Sequence, residues 1–193
     1  MRTAKISRKT KETDITVKIN LDENNASNIT TGIGFFDHML MAFATHCGIN
    51  LEISVDGDLE VDAHHTVEDV GIVLGQALRV ALDEMPAIER YGSAYVPMDE
   101  ALGFVSLDIC RRPFLVMDAH FTADKIGEMD TQLVTEFFRA FAFNSQITLH
   151  AKVLYGENDH HKAEALFKAL AHALKQAIKP LTNDKTLSTK GTL

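Results

Sequence analysis

Apolar residues along this chain fall into two rhythms. Ile49, Leu51, Ile53 and Val55 alternate with other positions, and so do Ile147, Leu149, Ala151 and Val153. A period of two is what a strand with one buried face requires. Val67, Val70, Leu74, Leu78 and Leu82 instead recur at spacings of three and four, which lines one side of a helix. Read this way, the chain predicts strands over 3–8 and 14–20, a polar loop over 22–31, a helix over 34–47 and a strand over 49–55. Asp56-Gly57 predicts a turn, with 59–61 returning as a short strand. A long helix over 64–84 follows, stopped near Met85-Pro86 because proline cannot continue the hydrogen-bond ladder. Residues 92–121 are strand-rich, with strands over 101–109 and 114–120 joined by a turn at Arg111-Arg112-Pro113. A helix over 128–144, a strand beginning near Ile147 and a long helix over 160–179 complete the periodic part. The tail 182–193 is polar and aperiodic.

The same order occurs twice. Laying position 64 on position 160 without gaps puts Val67 on Ala163, Val70 on Leu166, Leu74 on Leu170, Leu78 on Leu174 and Leu82 on Ile178. A strand precedes each long helix, and a Phe-rich helical stretch (Phe35-Phe36, then Phe137-Phe138) precedes each strand. The expected fold class is therefore α+β: an internally duplicated β-sheet with helices on one face, the two pseudo-symmetric halves sandwiched together. The repeats span approximately 1–91 and 92–181, and nothing between them reads as a linker.

Composition narrows the setting. At 193 residues, 46% hydrophobic and 24% charged, the chain describes one ordinary globular unit. No apolar run approaches the roughly 18 residues of a membrane span, and no signal-peptide core follows Met1, so a cytoplasmic protein without a membrane partner is expected. A net charge of −8 and the lack of an aromatic-basic platform argue against a nucleic-acid partner. Cys47 and Cys110 fit neither a metal spacing nor a disulfide framework and read as reduced core residues.

The chemistry is concentrated in a phrase the chain carries twice, His64-His65-Thr66-Val67-Glu68 and His160-His161-Lys162-Ala163-Glu164. On a helix the first His and the Glu, four residues on, share one face, while the second His sits a step round. Imidazole with carboxylate suits a borderline or hard divalent cation, and two such phrases point to two metals. His150, which interrupts an apolar alternation, and His38, between Phe35 and Met39, are candidate additional ligands. Together they give six histidines and two glutamates without thiolate. That set favours manganese, iron, cobalt, nickel or zinc and leaves coordination positions open, as a catalytic metal needs. A metal-storage protein and a di-metal phosphoesterase are the competing classes. The first has no use for the Arg and Lys residues, and the second ordinarily uses bridging Asp, which neither phrase offers.

Further stretches carry a family resemblance: Arg8-Lys9-Thr10-Lys11-Glu12-Thr13, Thr31-Gly32-Ile33-Gly34-Phe35-Phe36-Asp37-His38-Met39-Leu40, Asp62-Ala63 before the first His pair, Arg112-Pro113-Phe114, Asn158-Asp159 before the second, and Ser188-Thr189-Lys190-Gly191. In this order they resemble the monofunctional imidazoleglycerol-phosphate dehydratases of histidine biosynthesis. The resemblance implies loss of water from D-erythro-imidazole-glycerol phosphate to give imidazole-acetol phosphate, through a metal-held imidazolate and a diazafulvene-like intermediate. It implies two manganese ions (Mn2+) bound by His38, His64, His65, Glu68, His150, His160, His161 and Glu164. Glu12, His65, Glu68 and Glu164 are then the catalytic candidates. Glu12, His46, Arg90, Arg112, Lys168, Ser188 and Lys190 are the substrate-binding ones, with the tail 182–193 closing over the ligand. It also implies a large homo-oligomer, usually of twenty-four subunits, with metal sites between chains. Arg111 stands where the family often has a smaller residue.

Overall fold

The computed structural model describes residues 1–82 and 87–181. Its elements in order are β1 (Thr3–Lys9), β2 (Thr13–Asn20), β3 (Asn28–Thr30), α1 (Gly34–Cys47), β4 (Asn50–Gly57) and α2 (His64–Leu82). Then follow β5 (Tyr91–Met98), β6 (Ala101–Asp108), β7 (Phe114–Asp118), β8 (Lys125–Ile126), β9 (Met129–Asp130), α3 (Gln132–Ser145), β10 (Thr148–Tyr155) and α4 (Asp159–Ala177).

The strands form two four-stranded sheets of identical plan, β1-β2-β4-β3 and β5-β6-β10-β7. In each, three strands pair antiparallel and the fourth pairs parallel to its neighbour. Parallel strands cannot be joined by a hairpin and need a crossover element. Here α1 crosses from β3 to β4, and α3 from β7 to β10. The second long helix of each half covers the antiparallel strands, α2 on β1 and β2, α4 on β5 and β6. Helices of opposite halves then pack together, α1 on α4 and α2 on α3. The α+β duplication read from the sequence is thus the architecture, with the sheets outermost and the helices between them.

The core lies among those helices. Phe36, Phe43, Phe137, Phe138, Phe141 and Phe167 are fully buried. Phe36 meets Phe137 edge-on at 5.4 Å, and Phe137 stacks on Phe167 at 5.1 Å. Cys47 and Cys110 are free and buried, and burial pushes the Cys47 thiol up to about 12. Small residues set the approach of α2 to α3: a Cβ on Gly75 would stand 2.7 Å from the Phe141 carbonyl oxygen and 2.9 Å from the Ser145 nitrogen.

Three expectations change. Residues 59–61 form a turn, because Leu59 donates to the Gly57 carbonyl and Val61 to that of Asp58, and both side chains face solvent. The 22–31 loop contains β3, whose single buried side chain, Ile29, gives no alternation to read. The helix expected from 128 starts at Gln132, since Met129–Asp130 pairs with Lys125–Ile126. The turn at Arg111-Arg112-Pro113 joins β6 to β7 as read, and β10 lies between those strands in the sheet. Arg111 there takes a φ of 56°, a conformation that glycine, lacking a Cβ, adopts without that strain. The predicted stop at Met85-Pro86 lies outside the described residues.

Gly75→Val forces side-chain atoms into the backbone of α3. It should lower stability by about 1–3 kcal/mol, measured as a fall in the urea midpoint at unchanged slope.

Candidate metal centre

His160, Glu164, Lys168 and His172 follow at four-residue spacing on α4 and form a line along one face. His38 and His46 of α1 meet that line across the boundary between the halves. His160 Nε2 lies 3.1 Å from Glu164 Oε2, and His38 Nε2 lies 3.4 Å from the same oxygen. The other oxygen, Oε1, is 2.6 Å from Lys168 Nζ. The Glu164 side chain is only 7% exposed, whereas His38 is 52% and His160 41% exposed, so the group opens to solvent on its imidazole side. Burial raises the Glu164 carboxyl, but Lys168 and His160 outweigh it and hold it below the usual range. His46 sits 5.2 Å from the His172 ring, and burial together with the His172 and Lys168 charges lowers its pKa.

The atoms offered by His38, His160 and Glu164 all lie within 4.8 Å of one another. Ligands about 2.0–2.2 Å from a shared cation stand roughly 3.0–3.6 Å apart when adjacent, which the separations of 3.1 and 3.4 Å satisfy. Two imidazoles and a carboxylate held by a lysine thus fit a divalent cation of the kind read from the sequence.

The first copy of the phrase is more open. His64 Nε2 and Glu68 Oε2 are 3.8 Å apart, with both side chains nearly half exposed. The counterpart of Lys168 on α2 is Ile72, and among the described residues no ammonium holds Glu68 as Lys168 holds Glu164. His38 is the fifth residue of α1; the fifth of α3 is Glu136, which accepts from Arg139 at 2.6 Å. One three-ligand group therefore forms among the described residues, and the His64–Glu68 pair stands apart from it.

The second histidine of each phrase turns toward carboxylates. His65 Nδ1 is 3.0 Å from Asp58, and its Nε2 faces Glu12 at 3.8 Å. His161 Nδ1 is 2.7 Å from Glu100, and its Nε2 faces Asp99 at 3.6 Å. Hydrogen bonding to Asp58 and Glu100 raises the two imidazole pKa values, and bonds from Asn158 N and His161 pull Glu100 down to about 2. The helix starts are fixed by side chains: Asp62 accepts from His64 N at 2.7 Å, and Asn158 from His160 N and His161 N at 2.9 and 3.3 Å. Glu12 projects from the β1–β2 turn, which Asp69 of α2 anchors by accepting from Arg8 and Thr13. Asp159, buried, accepts from Thr122 N, Ala123 N and Lys162 Nζ, and so ties the start of α4 to the 122–123 loop.

Other sequence candidates lie elsewhere. His150 projects from the outer face of the second sheet, opposite Ser106 and Val116, on the far side from the helices. Arg90 is buried and grips Asp108 with two nitrogens at 2.6 and 3.0 Å, while Arg112, largely exposed, stands 3.9 Å from that carboxylate. Ser188 and Lys190, with the tail 182–193, lie outside the described residues.

The family model for imidazoleglycerol-phosphate dehydratase matches residues 31–174. The chain belongs to the imidazoleglycerol-phosphate dehydratase family. Its members are hydro-lyases. The chain is 58% identical to the imidazoleglycerol-phosphate dehydratase of Acetivibrio thermocellus over 189 residues, 97% of each protein. It is 56% identical to that of Methanosarcina mazei over the full length of both. Among solved structures it is similar to the Staphylococcus aureus dehydratase (TM-score 0.85, 40% identity, 93% of this chain and 99% of that one). It is also similar to the Pyrococcus furiosus enzyme in complex with (S)-C348 (TM-score 0.84, 41% identity, 97% and 100%). Sequence reasoning about this dehydratase family member passes over Asp58, Asp99 and Glu100. They stand far from the histidines along the chain or in a turn, and the only available signal is that Glu100 precedes β6 as Glu12 precedes β2.

Donors from Lys162, Ala123 and Thr122 overcome the burial that would raise Asp159, and hold it at about 2 against an ordinary 3.8. A depressed carboxyl stabilises the fold above its unfolded value, and that stability is lost as pH falls toward the folded one. Asp159→Asn should therefore cost about 3–5 kcal/mol at neutral pH by leaving Lys162 buried without its counter-charge. It should also flatten the acid limb between pH 4 and 2 in a denaturation series, and adding Lys162→Met should recover most of the loss.

Proposed function

We propose that this chain is a metal-dependent imidazoleglycerol-phosphate dehydratase of L-histidine biosynthesis, removing water from D-erythro-imidazole-glycerol phosphate to give imidazole-acetol phosphate. The observation that carries the reading is the group formed by His38, His160 and Glu164, assembled from both halves of a chain that matches the family end to end. Two cations are held by ligands drawn from His38, His64, His65, Glu68, His150, His160, His161 and Glu164. One chain gathers only three of these into a single group, and His150 faces away from the helices. Such a separation calls for a neighbouring copy to complete each sphere, and so for a homo-oligomer, twenty-four subunits by family likeness. The chain is one unit of two repeats, about 1–91 and 92–181, with 182–193 as the closing tail. No described helix is long and apolar enough to cross a membrane, in keeping with a cytoplasmic role.

Manganese held by these residues would supply the Lewis acidity that draws the substrate ring toward its imidazolate form. The hydroxyl on the adjacent carbon would then leave as water by taking a proton from a general acid, a diazafulvene-like intermediate would follow, and a base would take the neighbouring C–H proton to give an enol that becomes the ketone. Glu12, whose exposure at its hairpin tip beside His65 supports the role, would exchange protons with substrate. Both oxygens of Glu164 are engaged, which favours a ligand role for it and leaves Glu68 the freer base. Arg112, with Arg90 fixed behind it by Asp108, offers the exposed guanidinium for phosphate. Lys168, His46, Ser188 and Lys190 complete the proposed contacts.

Protein stripped of metal should regain turnover on titration with Mn2+, read as ultraviolet absorbance of the keto product, saturating at two ions per chain. Product formation unaffected by chelation sinks the reading. Glu12→Gln should lose at least about 100-fold in kcat, and full turnover by that variant removes its proton-transfer role.

A further inference from the structure

The two phrases are copies, yet their second histidines are oriented by carboxylates from different places. His65 Nδ1 meets Asp58, the residue directly after β4, at 3.0 and 3.2 Å. The residue directly after β10 is Gly156, which has no side chain to offer. His161 Nδ1 instead meets Glu100, in the β5–β6 turn, at 2.7 Å. Glu100 directly precedes β6 as Glu12 directly precedes β2, so the repeat counterpart of Glu100 is Glu12. Glu12 lies toward Nε2 of its histidine, at 3.8 Å and half exposed. One loop position thus orients a histidine in the second half, while its counterpart in the first half is left free for another task.

We propose that Asp58 and Glu100 are positioning residues that set His65 and His161 for metal binding through Nε2, and that Asp58, by taking this part in the first half, releases Glu12 for substrate. The inference rests on the dehydratase reading and its metal sites. An ionised carboxylate only accepts, so the Nδ1 it meets carries the proton and the lone pair lies on Nε2. A ligating imidazole held in this way has its tautomer and ring orientation fixed before the cation arrives. Glu100 is itself immobilised: its Oε1 accepts from Glu157 N at 3.1 Å and Asn158 N at 2.7 Å, leaving Oε2 for His161. Asn158 in turn caps α4 at His160 and His161, so one carboxylate steadies the loop, the helix start and the ring.

Glu100→Gln separates these jobs. The amide oxygen still accepts from the two backbone N–H groups, but its NH2 faces Nδ1 and demands the opposite tautomer, with the proton on Nε2. Asp58→Asn does the same to His65. Mn2+ titration of stripped protein, by calorimetry or equilibrium dialysis, is compared for wild type, D58N, E100Q and E12Q, with the melting temperature of each metal-free form. D58N and E100Q should each weaken Mn2+ by roughly 10–100-fold at little change in melting temperature, while E12Q keeps the wild-type affinity and loses turnover. Affinities of D58N and E100Q within twofold of wild type overturn the positioning role, and a melting temperature that falls in step with affinity reduces it to loop anchoring and overturns it too. E12Q weakening Mn2+ as much as E100Q overturns the division of labour. Failure of the wild type itself to bind Mn2+ is distinguishable from all of these, because it removes the dehydratase reading first.

Discussion

The three-ligand group of this molecule depends on the packing of α1, from the first half, against α4, from the second. His38 belongs to one helix and His160 and Glu164 to the other. Neither half can form the group by itself. What brings the helices together is apolar: Phe36 and Phe43 on α1 pack on Phe137 and Phe141 of α3, and Phe137 stacks on Phe167 of α4. A fully buried phenylalanine contributes on the order of 2–3 kcal/mol through area removed from water. That stabilisation is large enough to hold a buried carboxylate in place, provided Glu164 keeps its partners. Lys168 and the two imidazoles supply them.

Duplication gave the architecture, and departures from duplication gave the chemistry. The sheets share one strand order and the long helices carry the same phrase. Yet Lys168 stands where α2 has Ile72, and Glu136 stands where α1 has His38. The outer sheet faces differ as well. Lys5, Ser7, Asp14, Lys18, Glu52 and Ser54 make the first one polar. The second exposes Tyr91, Tyr95, Phe114 and Val116 near His150.

Much of this was legible in the sequence because it is periodic. The helix over 34–47 matches α1 at both ends, since Gly48 with a positive φ closes it and a buried stripe runs along it. The two His-His-x-x-Glu phrases stand out because a helix turns their spacing into one face. What escaped has no period. β3 contributes one buried residue, Ile29, and is held by pairing with β4, which no local pattern announces. The carboxylates on His65 and His161 arrive from other segments, so their meaning exists only after folding. Lys162, which occupies a variable position of its phrase, is buried against Asp159. Arg90, read as a substrate-binding candidate, is likewise buried on Asp108.

The paired helix contacts carry an implication for descent. Rotating one half onto the other exchanges α1·α4 with α3·α2, so two identical ancestral halves would have displayed the His38-type constellation at both seams. Within one chain the two seams are free to differ. The seam with His38 carries a lysine against Glu164, whereas the other, with Glu136 turned to Arg139, has an open His64–Glu68 pair that no described residue encloses as Glu164 is enclosed.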